Sequence, residues 1–193
     1  MENELFSFRI NKNRDYGEPD NSYVLIDILK EDLEEVVVPE TYNGKSVVLF
    51  DVDPSKTYPN VKSIVLPSDK FHLSYRTTPE SFPNLESIEV SKEEQGRGLF
   101  TEEGVLYYGR KDGSSRGLLF YPANRPGTEF EVKKGTYLGE SCFAHAKNLE
   151  RVILPNRTRE IPDSAFASCV KLMEIDVPGD VSRIGDCAFN GCV

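Results

Sequence analysis

A six-residue pattern recurs three times near the end of the chain. Leu138-Gly139-Glu140-Ser141-Cys142-Phe143 returns as Ile161-Pro162-Asp163-Ser164-Ala165-Phe166 and again as Ile184-Gly185-Asp186-Cys187-Ala188-Phe189, a constant interval of 23 residues. A unit of this size cannot bury its own apolar face. A core forms only where neighbouring units stack, so the period specifies a solenoid. Aligned on that period, the chain shows columns of like residues: Phe143, Phe166 and Phe189; Ala146, Cys169 and Cys192; Leu149 and Leu172; Val152 and Ile175; Leu154 and Val177. The stretch Leu149 to Leu154 alternates as a strand does and stops at Pro155. Strands repeated at this interval lie parallel, about 4.8 Å apart. Before each strand, a segment such as Asp163-Ser164-Ala165-Phe166-Ala167-Ser168 sets an acidic residue ahead of small ones, which predicts a short helical turn with the carboxylate as its cap.

Earlier segments echo the strand half of the unit. Asn60 to Pro67 and Asn84 to Val90 align at an interval of 24 and read as degenerate rungs of 58–90. Residues 91–129 exceed one repeat. They hold two apolar runs, Gly104 to Tyr108 and Gly117 to Tyr121, around Asp112-Gly113, which predicts an inserted β-hairpin. Phe6 to Ile10 and Tyr23 to Ile28 have strand patterns outside the repeat consensus. They suit a cap within 1–57, which also holds a first degenerate rung, while the regular repeats occupy 130–193. The whole chain thus reads as one domain: a β-rich α/β repeat solenoid with short parallel strands, short helical turns and an inserted hairpin.

Charge narrows the partners. Against 23 Lys and Arg stand 32 Asp and Glu, a net charge of −9, which argues against nucleic acid and anionic membranes. No run approaches the ~18 apolar residues of a membrane-spanning helix. Met1 to Ser7 carries neither a basic nor an apolar signal region. The expectation is a cytoplasmic protein if Met1 is the true start.

The unit from Ile161 to Pro178, with its Ala-Phe-x-x-Cys-x-x-Leu core and Ile-x-Val-Pro ending, resembles the BspA-type leucine-rich repeat. The segment Val36 to Lys45 and the insertion from Gly104 to Pro122 are similar to features found with such arrays. This resemblance implies a right-handed leucine-rich-repeat superhelix, a cell-surface or secreted location, and adhesion or other protein recognition.

Residues able to do chemistry are scarce. His72 and His145 are the only histidines, and no Gly-x-Ser-x-Gly context surrounds a serine, so an enzyme is not expected. Cys169 and Cys192, one rung apart, read first as buried free thiols. A disulfide or zinc ligation are lesser alternatives, because a parallel column holds the Cβ atoms too far apart and no CxxC pair or adjacent histidine completes a metal set. Cys142 and Cys187 fall in small-residue columns. Glu140, Asp163 and Asp186 read as caps rather than a calcium site. Asn156-Arg157-Thr158 matches a glycosylation sequon by chance, and Glu31 to Glu35 reads as a solvated turn. Neither a cofactor nor a metal is expected.

The candidate recognition face consists of the outward strand positions, in two rows: Ser63, Ser87, Arg151 and Glu174; and Val65, Glu89, Ile153 and Asp176. Tyr107, Tyr108 and Tyr121 on the insertion are candidate aromatic anchors, at least one of them packing on the array. The expected partner is a protein, with a glycan-binding module or an intracellular scaffold as alternatives. The last unit stops at Val193 before its strand, and that open edge predicts self-association.

Overall fold

The computed structural model describes residues 4–12, 21–94 and 96–193. Strands β1 (Phe6–Ile10) and β2 (Tyr23–Ile28) pair antiparallel. After β3 (Glu35–Val37), strand β4 (Thr41–Tyr42) turns back onto β5 (Lys45–Phe50) through Asn43 and Gly44, whose φ angles are 48° and 73°. An Asn-Gly pair with both φ positive matches the right-handed twist of a tight hairpin. Strand β5 also runs parallel to β2, so the N-terminal pair is stitched sideways into the array. Strands β6 (Ser63–Leu66), β7 (His72–Leu73) and β8 (Ser87–Val90) follow. Strands β3, β6 and β8 form one parallel ladder with Val36, Ile64 and Ile88 in file, and β7 pairs parallel to β5.

The insertion holds β9 (Arg97–Glu102), β10 (Val105–Arg110) and β11 (Arg116–Phe120). The two apolar runs pair antiparallel as a hairpin, and β9 adds a third strand through a turn at Glu103-Gly104. Strands β12 (Glu129–Glu131) and β13 (Thr136–Leu138) resume the repeat, β13 pairing parallel to β11. Strands β14 (Arg151–Ile153), β15 (Glu160–Ile161), β16 (Glu174–Asp176) and β17 (Arg183–Ile184) complete it. Strands β12, β14 and β16 make the main parallel ladder, with Phe130, Val152 and Ile175 in file.

The predicted helical turns are not there. Among the described residues the helical element is a single 3-10 turn, Pro79–Ser81. In each regular unit two residues four apart take left-handed backbone: Ser141 and His145 (φ 55° and 60°), Ser164 and Ser168 (55° and 58°), Cys187 and Gly191 (56° and 77°). A helix needs φ near −63° throughout, so these positions break it. Alternate N–H groups instead bond across rungs. Ser141, Phe143 and His145 donate to the carbonyls of Asp163, Ala165 and Ala167 at 3.1, 2.9 and 2.7 Å, and Ser164, Phe166 and Ser168 repeat this to Asp186, Ala188 and Asn190. The segments are turns stacked like strands. Asp163 follows suit: its Oδ1 accepts from the backbone N–H of Asp186 on the next rung at 2.9 Å, rather than capping its own turn.

The core forms two main clusters that meet at the insertion. Leu99, Leu106 and Phe120 pack into the N-terminal cluster, while Phe100, Val105, Tyr107 and Leu118 pack into the C-terminal one. The insertion sheet is therefore a wall buried on both faces, which is why its strands read as continuous apolar runs. Arg116, only 4% exposed, pins it: its Nε donates to Thr136 Oγ1 at 2.9 Å, Nη1 lies 3.1 Å from Glu102, and the guanidinium stands 5.4 Å from the Tyr107 ring centroid.

Candidate functional site

Each ladder strand turns alternate residues toward the core and their neighbours outward, because successive side chains point to opposite faces; Ile175 on the last ladder strand is only half-buried. In the C-terminal ladder, Arg151 stands between Glu129 and Glu174, and Ile153 between Glu131 and Asp176. In the N-terminal ladder, Ser63 pairs with Glu35 and Ser87, and Val65 with Val37 and Glu89. The predicted residues thus lie side by side within each ladder. The single long row is interrupted, however. Between β8 and β12 comes the Glu103-Gly104 turn: Ile88 N–H donates to the Gly104 carbonyl at 2.9 Å, and Arg125 Nε donates to the Glu103 carbonyl at 3.0 Å. Gly104 combines a φ of 78° with a position where an added Cβ would lie 3.0 Å from Ser87 Cβ, so glycine is required there.

The face is acidic with apolar interruptions. Arg151 lies 2.7 Å from Asp176, 3.5 Å from Glu174 and 3.6 Å from Glu129. The hydrogen bond to Asp176, followed by the charges of Asp176, Glu174 and Glu129, raises the guanidinium's pKa. That cation is consumed within the face. Glu89 and Glu131 remain exposed, alongside Val37 at 53% exposure. Glu35, Val37, Glu129 and Glu131 belong to these rows and were not anticipated. Their alternating patterns, Glu35-Val36-Val37-Val38 and Glu129-Phe130-Glu131-Val132, carry the signal, but at intervals that differ from 23. Of the Glu31 to Glu35 run, Glu31, Asp32, Glu34 and Glu35 are exposed, with Glu34 2.9 Å from Lys62.

Two of the three candidate aromatic anchors are core residues. Tyr107 is 2% exposed and stacks on Phe100 at 5.4 Å; Tyr121 is 1% exposed and packs between Phe130 and Phe143. A sheet buried on both faces leaves them no route outward. Burial raises the pKa of both hydroxyls, that of Tyr107 to about 12. Tyr108 is 42% exposed under the guanidinium of Arg97.

The cysteine column is a thiol ladder. Cys169 Sγ donates to the Phe143 carbonyl at 3.0 Å, and Cys192 Sγ to the Phe166 carbonyl at 3.2 Å. Burial pushes Cys169 up to about 12 and raises Cys142 and Cys192 as well. Cys187 differs in being exposed. His145 Nε2 lies 3.8 Å from Glu80, and His72 sits in β7. Among the described residues, no three His, Cys, Asp or Glu side chains converge as metal ligands.

Parallel ladders, phenylalanine stacks and a thiol column recurring together match a known repeat class. Residues 120–193 match the model of the BspA type leucine-rich repeat region. The leucine-rich repeat architecture extends beyond that stretch. A leucine-rich repeat protein of Eubacterium ventriosum is similar over 80% of this chain, with a TM-score of 0.64 and 27% identity. A leucine rich cell surface protein of Faecalibacterium prausnitzii (84% of the chain, TM-score 0.53, 20% identity) and the pneumococcal vaccine antigen PcpA (83%, 0.57, 19%) share the fold. The chain spans 38%, 52% and 49% of the lengths of these three structures. No curated protein matches it.

Proposed function

We propose that this leucine-rich repeat chain is a non-enzymatic protein-recognition module, of the adhesion or recognition kind, and that its partner docks on the outward face of the two ladders. The observation that carries this reading is the register. Ser63, Val65, Ser87 and Glu89 on one ladder, and Arg151, Ile153, Glu174 and Asp176 on the other, are held at rung spacing on a rigid scaffold, so little side-chain and backbone freedom is lost on binding. The carboxylates outnumber the one internally paired cation, and Val37, Val65 and Ile153 supply apolar contact, so a basic protein surface with apolar residues fits best. Tyr108 is the insertion's candidate anchor.

Affinity capture with the purified chain, paired with the double variant Glu89→Lys/Ile153→Asp, tests this. A protein retained by the wild type and lost with a variant of unchanged melting temperature is the expected result. A partner retained equally by the variant removes the ladder face from consideration. Glycan-array binding insensitive to these substitutions favours a carbohydrate module instead.

A further inference from the structure

The C-terminal repeats carry a second set of strands, each following a ladder strand within its unit. Leu138, Ile161 and Ile184 share one column of the repeat, so β13, β15 and β17 should form one continuous ladder. They do not: β13 pairs with β11, and β15 pairs with β17 in a separate two-stranded sheet. Pro162 explains the break. Gly139 N–H donates to the Leu118 carbonyl at 2.9 Å, and Gly185 N–H to the Ile161 carbonyl at 2.8 Å. Pro162 occupies the same column and has no N–H to offer the Leu138 carbonyl.

At the break lies a groove of about 660 Å³. Its floor is apolar, with Leu138, Pro155 and Pro162 beside Tyr137, which is 71% exposed. Its rim holds Lys134, Arg157 and Arg159, all exposed; among the described residues none of the three side chains has a carboxylate within ion-pair distance. Asp180 nearby accepts instead from the Arg157 backbone N–H at 3.0 Å. The one carboxylate in the lining, Glu160, is neutralised by Arg183 at 2.6 Å. A group of free cations over unpaired strand edges is a local reversal of field in a chain of net charge −9.

We infer that this groove is a second docking site, adjoining the C-terminal end of the ladder face but opposite to it in charge, and that it takes an extended acidic segment of a partner protein. The segment lies along the open edges of β13 and β15, sets carboxylates on Lys134, Arg157 and Arg159, and rests an apolar side chain against Tyr137 and the two prolines. Open strand edges supply main-chain hydrogen bonds that an extended peptide uses and a glycan does not.

The test is an amide NMR titration of the intact chain with three probes: a 12-residue peptide of alternating Glu and Val, its counterpart of alternating Lys and Val, and heparin. The Glu-Val peptide is expected to shift the amides of Tyr137, Leu138, Glu160 and Ile161, and the Lys-Val peptide to leave them unmoved. Arg157→Glu/Arg159→Glu should weaken the Glu-Val peptide about tenfold or more, a loss on the order of 1.4 kcal/mol or more. Pro162→Gly restores the missing donor, so its new amide should resist exchange and peptide affinity should fall. Glu89→Lys alone, on the N-terminal ladder and outside the groove lining, should leave groove binding intact, which separates failure of this inference from failure of the ladder-face reading. Equal shifts with both peptides, groove shifts with heparin alone, or no groove shifts at millimolar Glu-Val peptide would each overturn it.

Discussion

Phe166 lies between Phe143 and Phe189, stacked with centroids 4.9 and 5.4 Å away and interplanar angles of 9° and 3°, and is fully buried. Truncation opens a cavity flanked by rings that cannot both close over it. Phe166→Ala is expected to cost about 3–5 kcal/mol by denaturant titration; a loss under about 1 kcal/mol would contradict the stack. The thiols separate by exposure. In native protein, mass spectrometry after brief iodoacetamide treatment should find Cys187 labelled first and Cys142 and Cys169 last. Cys169 has its folded-state pKa raised from 9.0 to about 12 by burial. Below pH 9 its neutral form is common to both states; above it the unfolded chain releases the proton and the folded chain does not. Its contribution to stability should therefore be intact at pH 8 and decline between pH 9 and 12. Ser168, at φ 58°, shares its column with Gly191, so Ser168→Gly relieves a left-handed residue and should raise stability by a few tenths to about 1 kcal/mol.

Elements differ in how plainly the residues announce them. The ladder strands follow from alternation, and the hairpin of β10 and β11 from Asp112-Gly113. The β4–β5 hairpin carries Asn43-Gly44, the strongest short-range turn signal, but in the sequence that pair lies within the Val36 to Lys45 segment, which reads as a resemblance to a feature found with such arrays rather than as a hairpin. Strand β9 was missed because Glu103, an unusual residue for a φ of 51°, closes its turn. Helical turns were expected because acidic and small residues cap helices, yet the same residues serve stacked turns when each N–H has a carbonyl waiting on the next rung. The insertion sheet depends on one buried cation. Arg116→Ala removes the link between β9, β11 and β13, but Glu102 keeps Lys133 at 2.8 Å, so the loss falls at the lower end for a broken buried pair, about 3 kcal/mol. Thermal melting against Arg116→Lys checks this: the lysine keeps charge without the guanidinium fork and should recover only part of the loss.

Over the full molecule, the insertion sheet couples two cores that the repeat count alone would separate. Since Leu106 faces one cluster and Val105 and Tyr107 the other, loss of either cluster exposes the wall shared by both. Leu106→Ala on one side and Phe166→Ala on the other should therefore lower a single melting transition, with near-ultraviolet circular dichroism and amide exchange reporting the same midpoint. Two separated transitions would show that the clusters melt independently. The charge distribution also divides at this level: an acidic ladder face, and beside its C-terminal end the free cations of the groove at Tyr137.

Period, strand phase and core columns were legible along the chain because stacking demands the same residue at the same place in every unit. A 23-residue interval therefore reports burial directly, as Phe143, Phe166 and Leu149 show. What escaped a linear reading depends on contacts between units. Tyr107 and Tyr121 are buried because the insertion lies between two cores, a placement no local pattern encodes. The ladder face is interrupted because Gly104 occupies the rung after Ile88 from 16 residues downstream. Pro162 sits in the consensus column like any other repeat residue, and its effect appears only where the Leu138 carbonyl on the adjoining rung meets a residue with no N–H to donate.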